Sequence, residues 1–235
     1  MTVPGIRVLD DPVAAFTEVL LAAAATGGHV ALTGGSSPKS AYEQAARQPD
    51  AFDGARLWFG DERCVAPDDE RSNFGMAKKA LLDPLAEAGV TLAGCHRIEG
   101  ELGPHAGAEA YARELQEVGG AEGPEFELIL LGIGPDGHIC SMFPGQDSLA
   151  ERSRLAVGVP EAGFEPYVPR VTLTFPALSR AHHVVLLATG EKKADAVARA
   201  FGDGATPRPE VPASMLVEHV ASLTVLLDAD AAAKL

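Results

Sequence analysis

The chain has 235 residues, 46% of them hydrophobic and 22% charged, which suits one sizeable α/β domain rather than two independent ones. A net charge of -14 argues against non-specific binding to nucleic acid or an anionic membrane, both of which need a basic surface. Cys64, Cys95 and Cys140 are odd in number and widely spaced, so neither a disulfide framework nor a CxxC zinc site is indicated, and a reducing compartment is expected.

The N-terminal MTVPGIRVLDD lacks the series of a signal peptide, and no apolar run approaches membrane-spanning length. A soluble cytoplasmic protein is therefore expected. Ile6 to Leu9 reads as a strand, and Asp10-Asp11-Pro12 opens an Ala-rich helix that Thr26-Gly27-Gly28 stops near Ala25. His29 to Thr33 is the next strand, followed by the turn Gly34-Gly35-Ser36-Ser37 and a helix from Pro38 to about Arg47. Arg56 to Phe59 is a third strand, and Ser72-Asn73 marks the start of a helix running to Leu82.

Further on, His96 to Ile98 reads as a short strand and Ala106 to Val118 as a helix. The run Leu128-Ile129-Leu130-Leu131 shows no polar alternation, as expected of a strand covered on both faces of a parallel sheet. From Gly145 to Pro169 the chain reads as irregular, with a short strand at Leu155 to Val159, and a small subdomain around 145–170 is compatible with this. Arg170 to Thr174, His183 to Ala188 and Leu223 to Asp228 are further strands, with a helix at Glu191 to Phe201 and a mobile surface loop expected at Gly202 to Pro212. The alternation predicts a doubly wound, mostly parallel sheet flanked by helices, of Rossmann-like type.

Four of the junctions carry chemistry. Leu32-Thr33-Gly34-Gly35-Ser36-Ser37-Pro38 runs from a strand through glycines into a helix start, where backbone N–H groups attract an anion. It has neither GxGxxG spacing nor a P-loop ending. Phe59-Gly60-Asp61-Glu62-Arg63 puts three charges on a loop after a strand; a solvated corner is the plain alternative to a site.

Gly132-Ile133-Gly134-Pro135-Asp136-Gly137-His138 places an imidazole in a glycine turn, where it can take a proton from water. Asp136 is suited to orienting that ring, to holding a substrate hydroxyl, or to capping its own turn. Arg170, entering a strand, and the Lys192-Lys193 pair after the next one form a candidate phosphate clamp. Cys140 reads as an inert buried thiol and Trp58 as core.

Taken in order, LTGGSSPKSAYE, WFGDERCVAPDDERSNFGMAKKALL, LLGIGPDGHICSMFPG, PRVTLTFPAL and TGEKKADAV resemble the 6-phosphogluconolactonase family, within the glucosamine-6-phosphate deaminase/isomerase superfamily. The resemblance spans roughly Val30 to Ala200. It implies hydrolysis of a small phosphorylated sugar lactone, 6-phospho-D-glucono-1,5-lactone, to 6-phosphogluconate in the oxidative pentose phosphate pathway, with no cofactor and no metal.

By similarity, His138 would activate water, Asp136 would position ring or substrate, Arg63 would stabilise charge near the carbonyl or contact the substrate, and Asp61 would hold hydroxyls. Gly34, Gly35 and Ser36 with Arg170 and Lys193 would form the phosphate pocket, Lys193 being favoured over Lys192 by the GxxKA spacing. The deaminase branch resembles DGHxxxxE, and Phe143 stands here where that Glu would be. A non-catalytic sugar-phosphate sensor is the other alternative, although no basic helix-turn-helix stretch is present. The expected assembly is a monomer or a small homo-oligomer.

Overall fold

The computed structural model describes the chain from Met1 to Leu235. Its strands are β1 Gly5–Val8, β2 His29–Leu32, β3 Arg56–Phe59, β4 Asp61–Arg63, β5 Gly94–Cys95, β6 Phe126–Gly132, β7 Ala156–Val159, β8 Arg170–Leu173, β9 Ala181–Ala188 and β10 Leu223–Leu227. The helices are α1 Pro12–Ala24, α2 Ser36–Ala45, α3 Asn73–Ala77, α4 Asp83–Glu87, α5 Pro104–Gly119, α6 Phe175–Leu178, α7 Ala194–Phe201 and α8 Leu216–His219. No helix is long and apolar enough to cross a membrane.

Seven strands form one sheet in the order β1-β10-β9-β6-β2-β3-β5, and every pair in it is parallel. β6 is central, which is why Leu128, Ile129, Leu130 and Leu131 carry no polar alternation: all four are buried. Burying each such side chain stabilises by about 1.5–3 kcal/mol. α1 packs against β2, β6, β9 and β10, and its start is set by Asp11, whose Oδ1 accepts the Ala14 N–H at 2.9 Å, with Pro12 at the first turn.

The direction of winding reverses between β2 and β6. From β2 the chain moves outward to β3 and β5, whereas from β6 it moves the other way to β9 and β10. A crevice opens beyond the carboxyl ends of strands at such a reversal.

Three strands lie outside this sheet. β4, β8 and β7 form a second, antiparallel sheet, with Asp61 opposite Thr172 and Arg63 opposite Arg170. Asp61-Glu62-Arg63, expected to be a loop, is therefore a short strand, and Arg170 to Leu173 belongs to this second layer instead of the parallel sheet. The chain changes layers at Gly60, whose N–H still donates to Leu32 of β2 while its carbonyl accepts from Leu173 of β8.

Other boundaries moved for identifiable reasons. The helix begun by Ser72 continues past Leu82 to Glu87, because a π-turn at Lys78–Leu82 absorbs the irregularity before Pro84. The short edge strand is Gly94–Cys95, not His96–Ile98, and His96 instead stacks on Trp58 at 3.8 Å. Within the stretch read as irregular, β7 pairs with β8, and Leu155, Ala156, Val171 and Leu173 join the same apolar cluster as the large sheet. The Gly202 to Pro212 segment has no helix or strand until Pro212, where a short 3-10 turn begins.

Candidate active site

Two buried tyrosines end the strands that feed the crevice. Tyr42 of α2 uses its hydroxyl to accept from the Thr33 N–H at 2.9 Å and to donate to the Thr33 carbonyl at 2.8 Å. Tyr111 of α5 does the same for Phe59, at 3.0 and 2.9 Å. Each replaces the next rung of a ladder that stops there, so the following residues leave the sheet without orphaned backbone groups.

Beyond Thr33, the glycine turn lies against the Asn73 side chain. A β-carbon on Gly34 would stand 2.0 Å from Asn73 Oδ1, and Gly35 has φ +117°, so both positions require glycine. Asn73 Nδ2 donates to the Asp61 carbonyl at 2.9 Å and to Asp61 Oδ1 at 3.0 Å. Ser141 Oγ donates to the other carboxylate oxygen at 2.5 Å, and Asp61 is buried at 6% exposure.

Between two site residues, Glu62 points away from the crevice. Its carboxylate accepts from the N–H groups of Arg63, Asn73 and Phe74, each at 2.7 Å, and from Ser72 Oγ at 2.9 Å. Burial pushes its carboxyl up and these four donors pull it down, the net direction being upward. Glu62 caps α3 and anchors β4; it is a structural member of the charged triplet.

His138 closes the turn after β6. Its Nδ1 lies 2.6 Å from Asp136 Oδ1, which also accepts the His138 backbone N–H at 3.2 Å. Burial raises the Asp136 carboxyl, but the hydrogen bond from His138, its charge and the backbone donors outweigh that and hold the group below its ordinary range. An ionised Asp136 only accepts, so Nδ1 is the donor of this pair and Nε2 is the nitrogen left for proton transfer. Gly134 makes room for this arrangement, since a β-carbon there would be 2.1 Å from Nδ1. The Phe143 and Phe164 rings lie 4.7 and 5.7 Å from the imidazole.

Cations gather on the same side. Lys193 Nζ donates to the Ile133 carbonyl at 2.6 Å, and burial lowers its pKa against the opposing pull of Asp136. Arg170 is buried at 3% exposure and its Nε donates to the Val168 carbonyl at 3.1 Å, with burial lowering its pKa. Arg63 Nη1 donates to the Arg71 carbonyl, while its Nε is buried with no partner. Leaving such a donor unpaired costs about 1–3 kcal/mol.

Gly34, Gly35, Asp61, Arg63, His138, Arg170 and Lys193 line one cavity of about 290 Å³, together with Asn73, Phe164 and Glu165. Asp136 stands behind His138, and Ser36 is exposed at the first turn of α2, outside the lining. Lys192 is exposed and does not reach the cavity. A second groove of about 610 Å³ between His105 and Glu161 is lined by β7 and the Gly145–Ser148 turn, and none of the site residues expected from the sequence lines it. No group of three or more His, Cys, Asp or Glu side chains is placed to hold a metal ion.

Residues 8–225 match the family model described as glucosamine-6-phosphate isomerases/6-phosphogluconolactonase. The chain belongs to this family. A 6-phosphogluconolactonase of Mycobacterium tuberculosis is 38% identical over 212 residues, covering 88% of this chain and 84% of the relative. One of Synechocystis is 36% identical over 220 residues, covering 92% and 88%. The structure of 6-phosphogluconolactonase from Trypanosoma cruzi superposes with a TM-score of 0.82 at 28% identity, covering 100% of this chain and 98% of that one.

The Phe143 ring is 1% exposed and packs on His138. Cys140 lines the cavity, but burial pushes its thiol well above the ordinary range, which makes it a poor nucleophile. Sequence reasoning missed Asn73, Ser141 and Phe164. In the sequence Asn73 marks only a helix start, and its Nδ2 reaches Asp61 because Glu62 fixes the start of α3.

Proposed function

We propose that the protein hydrolyses 6-phospho-D-glucono-1,5-lactone to 6-phosphogluconate, with His138 as general base, as a cytoplasmic step of the oxidative pentose phosphate pathway. The observation that carries this reading is the Asp136-His138 pair at 2.6 Å with the Phe143 ring, rather than a third acid, against the imidazole. Asp136 holds Nδ1, so Nε2 takes a proton from water as the oxygen attacks the lactone carbonyl. The tetrahedral oxyanion collapses with cleavage of the bond to the ring oxygen, and the imidazolium returns its proton to that leaving oxygen.

Arg63 supports the oxyanion, since it lines the same cavity as His138 and carries a fixed positive charge. Asp61, held by Asn73 and Ser141, accepts from sugar hydroxyls. Arg170, Lys193 and the Gly34-Gly35 turn at the start of α2 receive the phosphate, so a chain of net charge -14 presents a cationic pocket to a dianion. A lactone is a reactive ester, and general-base catalysis of about 10²- to 10⁴-fold plus positioning is enough without a covalent intermediate.

The test is a spectrophotometric assay on freshly generated 6-phosphogluconolactone, corrected for spontaneous hydrolysis, with glucosamine 6-phosphate tested alongside. Turnover of the lactone alone is expected. Deamination of glucosamine 6-phosphate, or tight binding of either sugar without turnover, would overturn the reading.

A further inference from the structure

Residues Gly163 to Val168 form a strap with no helix or strand of its own, and Phe164 and Glu165 of this strap line the cavity. Arg170 holds it along one side: Nε bonds the Val168 carbonyl at 3.1 Å, and Nη2 bonds those of Pro166 and Phe164 at 2.8 and 3.4 Å. The strap begins against Phe143, where a β-carbon on Gly163 would stand 2.9 Å from Phe143 Cβ. The Arg170 guanidinium is itself 6.0 Å from the centre of the Phe143 ring.

Phe164 and Phe143 are also the two aromatic rings against His138, at 5.7 and 4.7 Å. The phosphate arginine and the base are thus joined through one short segment. A guanidinium is planar and rigid, so an anion seated on Nη1, which makes no hydrogen bond within the chain, fixes the plane that Nε and Nη2 share. Fixing that plane fixes three strap carbonyls and, through them, the Phe164 ring.

We propose that Phe164 is a positioning residue for His138, and that the Gly163–Val168 strap transmits occupancy of the phosphate subsite at Arg170 to the imidazole. Binding energy from a part of the substrate remote from the reacting carbonyl then appears in kcat as well as in KM. The inference rests on the lactonase reading above.

The experiment compares 6-phosphogluconolactone with the same lactone lacking its phosphate, in wild type, Phe164→Ala and Phe164→Tyr, with inorganic phosphate added as a separate ligand. Wild type is expected to show a kcat at least about tenfold lower on the unphosphorylated lactone, partly restored by added phosphate. Phe164→Ala should lose about tenfold in kcat on the phosphorylated lactone with KM within about twofold, and should lose the response to added phosphate. Phe164→Tyr, which keeps the ring at a site 37% exposed, should restore both.

A Phe164→Ala enzyme with unchanged kcat overturns the proposal, as does one that loses equally on both lactones, because the ring would then pack the base without any link to the phosphate. Failure of the wild type on both lactones instead overturns the lactonase reading itself, and the proposal with it.

Discussion

The side chain of Asn73 occupies the space in which a β-carbon on Gly34 would lie, its Oδ1 only 2.0 Å from that position. The turn after β2 and the first residue of α3, far apart in sequence, meet there. Through Nδ2 the same amide holds Asp61.

Gly34→Ala is therefore expected to displace Asn73, break its bonds to Asp61 and lose at least about tenfold in kcat/KM, with a stability loss of about 1–3 kcal/mol from overpacking. Chemical denaturation and the lactone assay check this. Adding Asn73→Ala to Gly34→Ala should recover the stability but not the activity.

His138→Ala should lower lactone hydrolysis by about 10²- to 10⁴-fold with the thermal midpoint little changed, since the ring is at the cavity and not in the core. Asp136→Asn should also be slow, because an amide oxygen replaces the charge that stabilises an imidazolium at 2.6 Å. Near-wild-type rates in a coupled assay of either variant would exclude the general-base scheme.

The neighbouring lysines should separate cleanly. Lys193→Met is expected to raise KM for the phosphorylated lactone by about ten- to a hundredfold, the loss of one charge-assisted hydrogen bond, whereas Lys192→Met leaves it unchanged. Steady-state kinetics of the two variants test the difference, since only Lys193 lines the cavity.

Acid sensitivity has an identifiable contributor at Glu151. Its carboxylate accepts from the backbone N–H groups of Arg152, Ser153 and Arg154 and from the Arg154 side chain, which pulls its pKa from 4.5 to about 2. A folded pKa below the unfolded one means that the stabilisation is complete above pH 4.5 and is lost as pH falls toward about 2. Denaturation curves of wild type and Glu151→Gln are expected to differ at pH 6 and to converge across that window.

Much of the large sheet was legible because its strands obey a local rule. Leu128 to Leu131 is apolar throughout, and only a strand covered on both faces needs that pattern. Asp11-Pro12 and Ser72 announced their helices through capping chemistry that acts within three residues. Asp61-Glu62-Arg63 was not legible as a strand, because charge is uncommon in a short buried strand and its partner, β8, lies more than a hundred residues away. The separate jobs of these three side chains were equally hidden: Asp61 and Arg63 line the cavity while Glu62, between them, turns to the start of α3.

By itself the sequence determined the parallel α/β architecture, the ordered motifs of the family and the glycine turn that carries Asp136 and His138, since each depends on residues close together along the chain. Only the tertiary structure decided that Ser36 lies outside the cavity's lining, that Asn73 and Ser141 hold Asp61, and that Phe164 reaches His138 from a strap tied to Arg170. Those contacts join segments distant in sequence. Their existence depends on the reversal of winding between β2 and β6 and on the layer change at Gly60, and neither leaves a periodic trace in the residues involved.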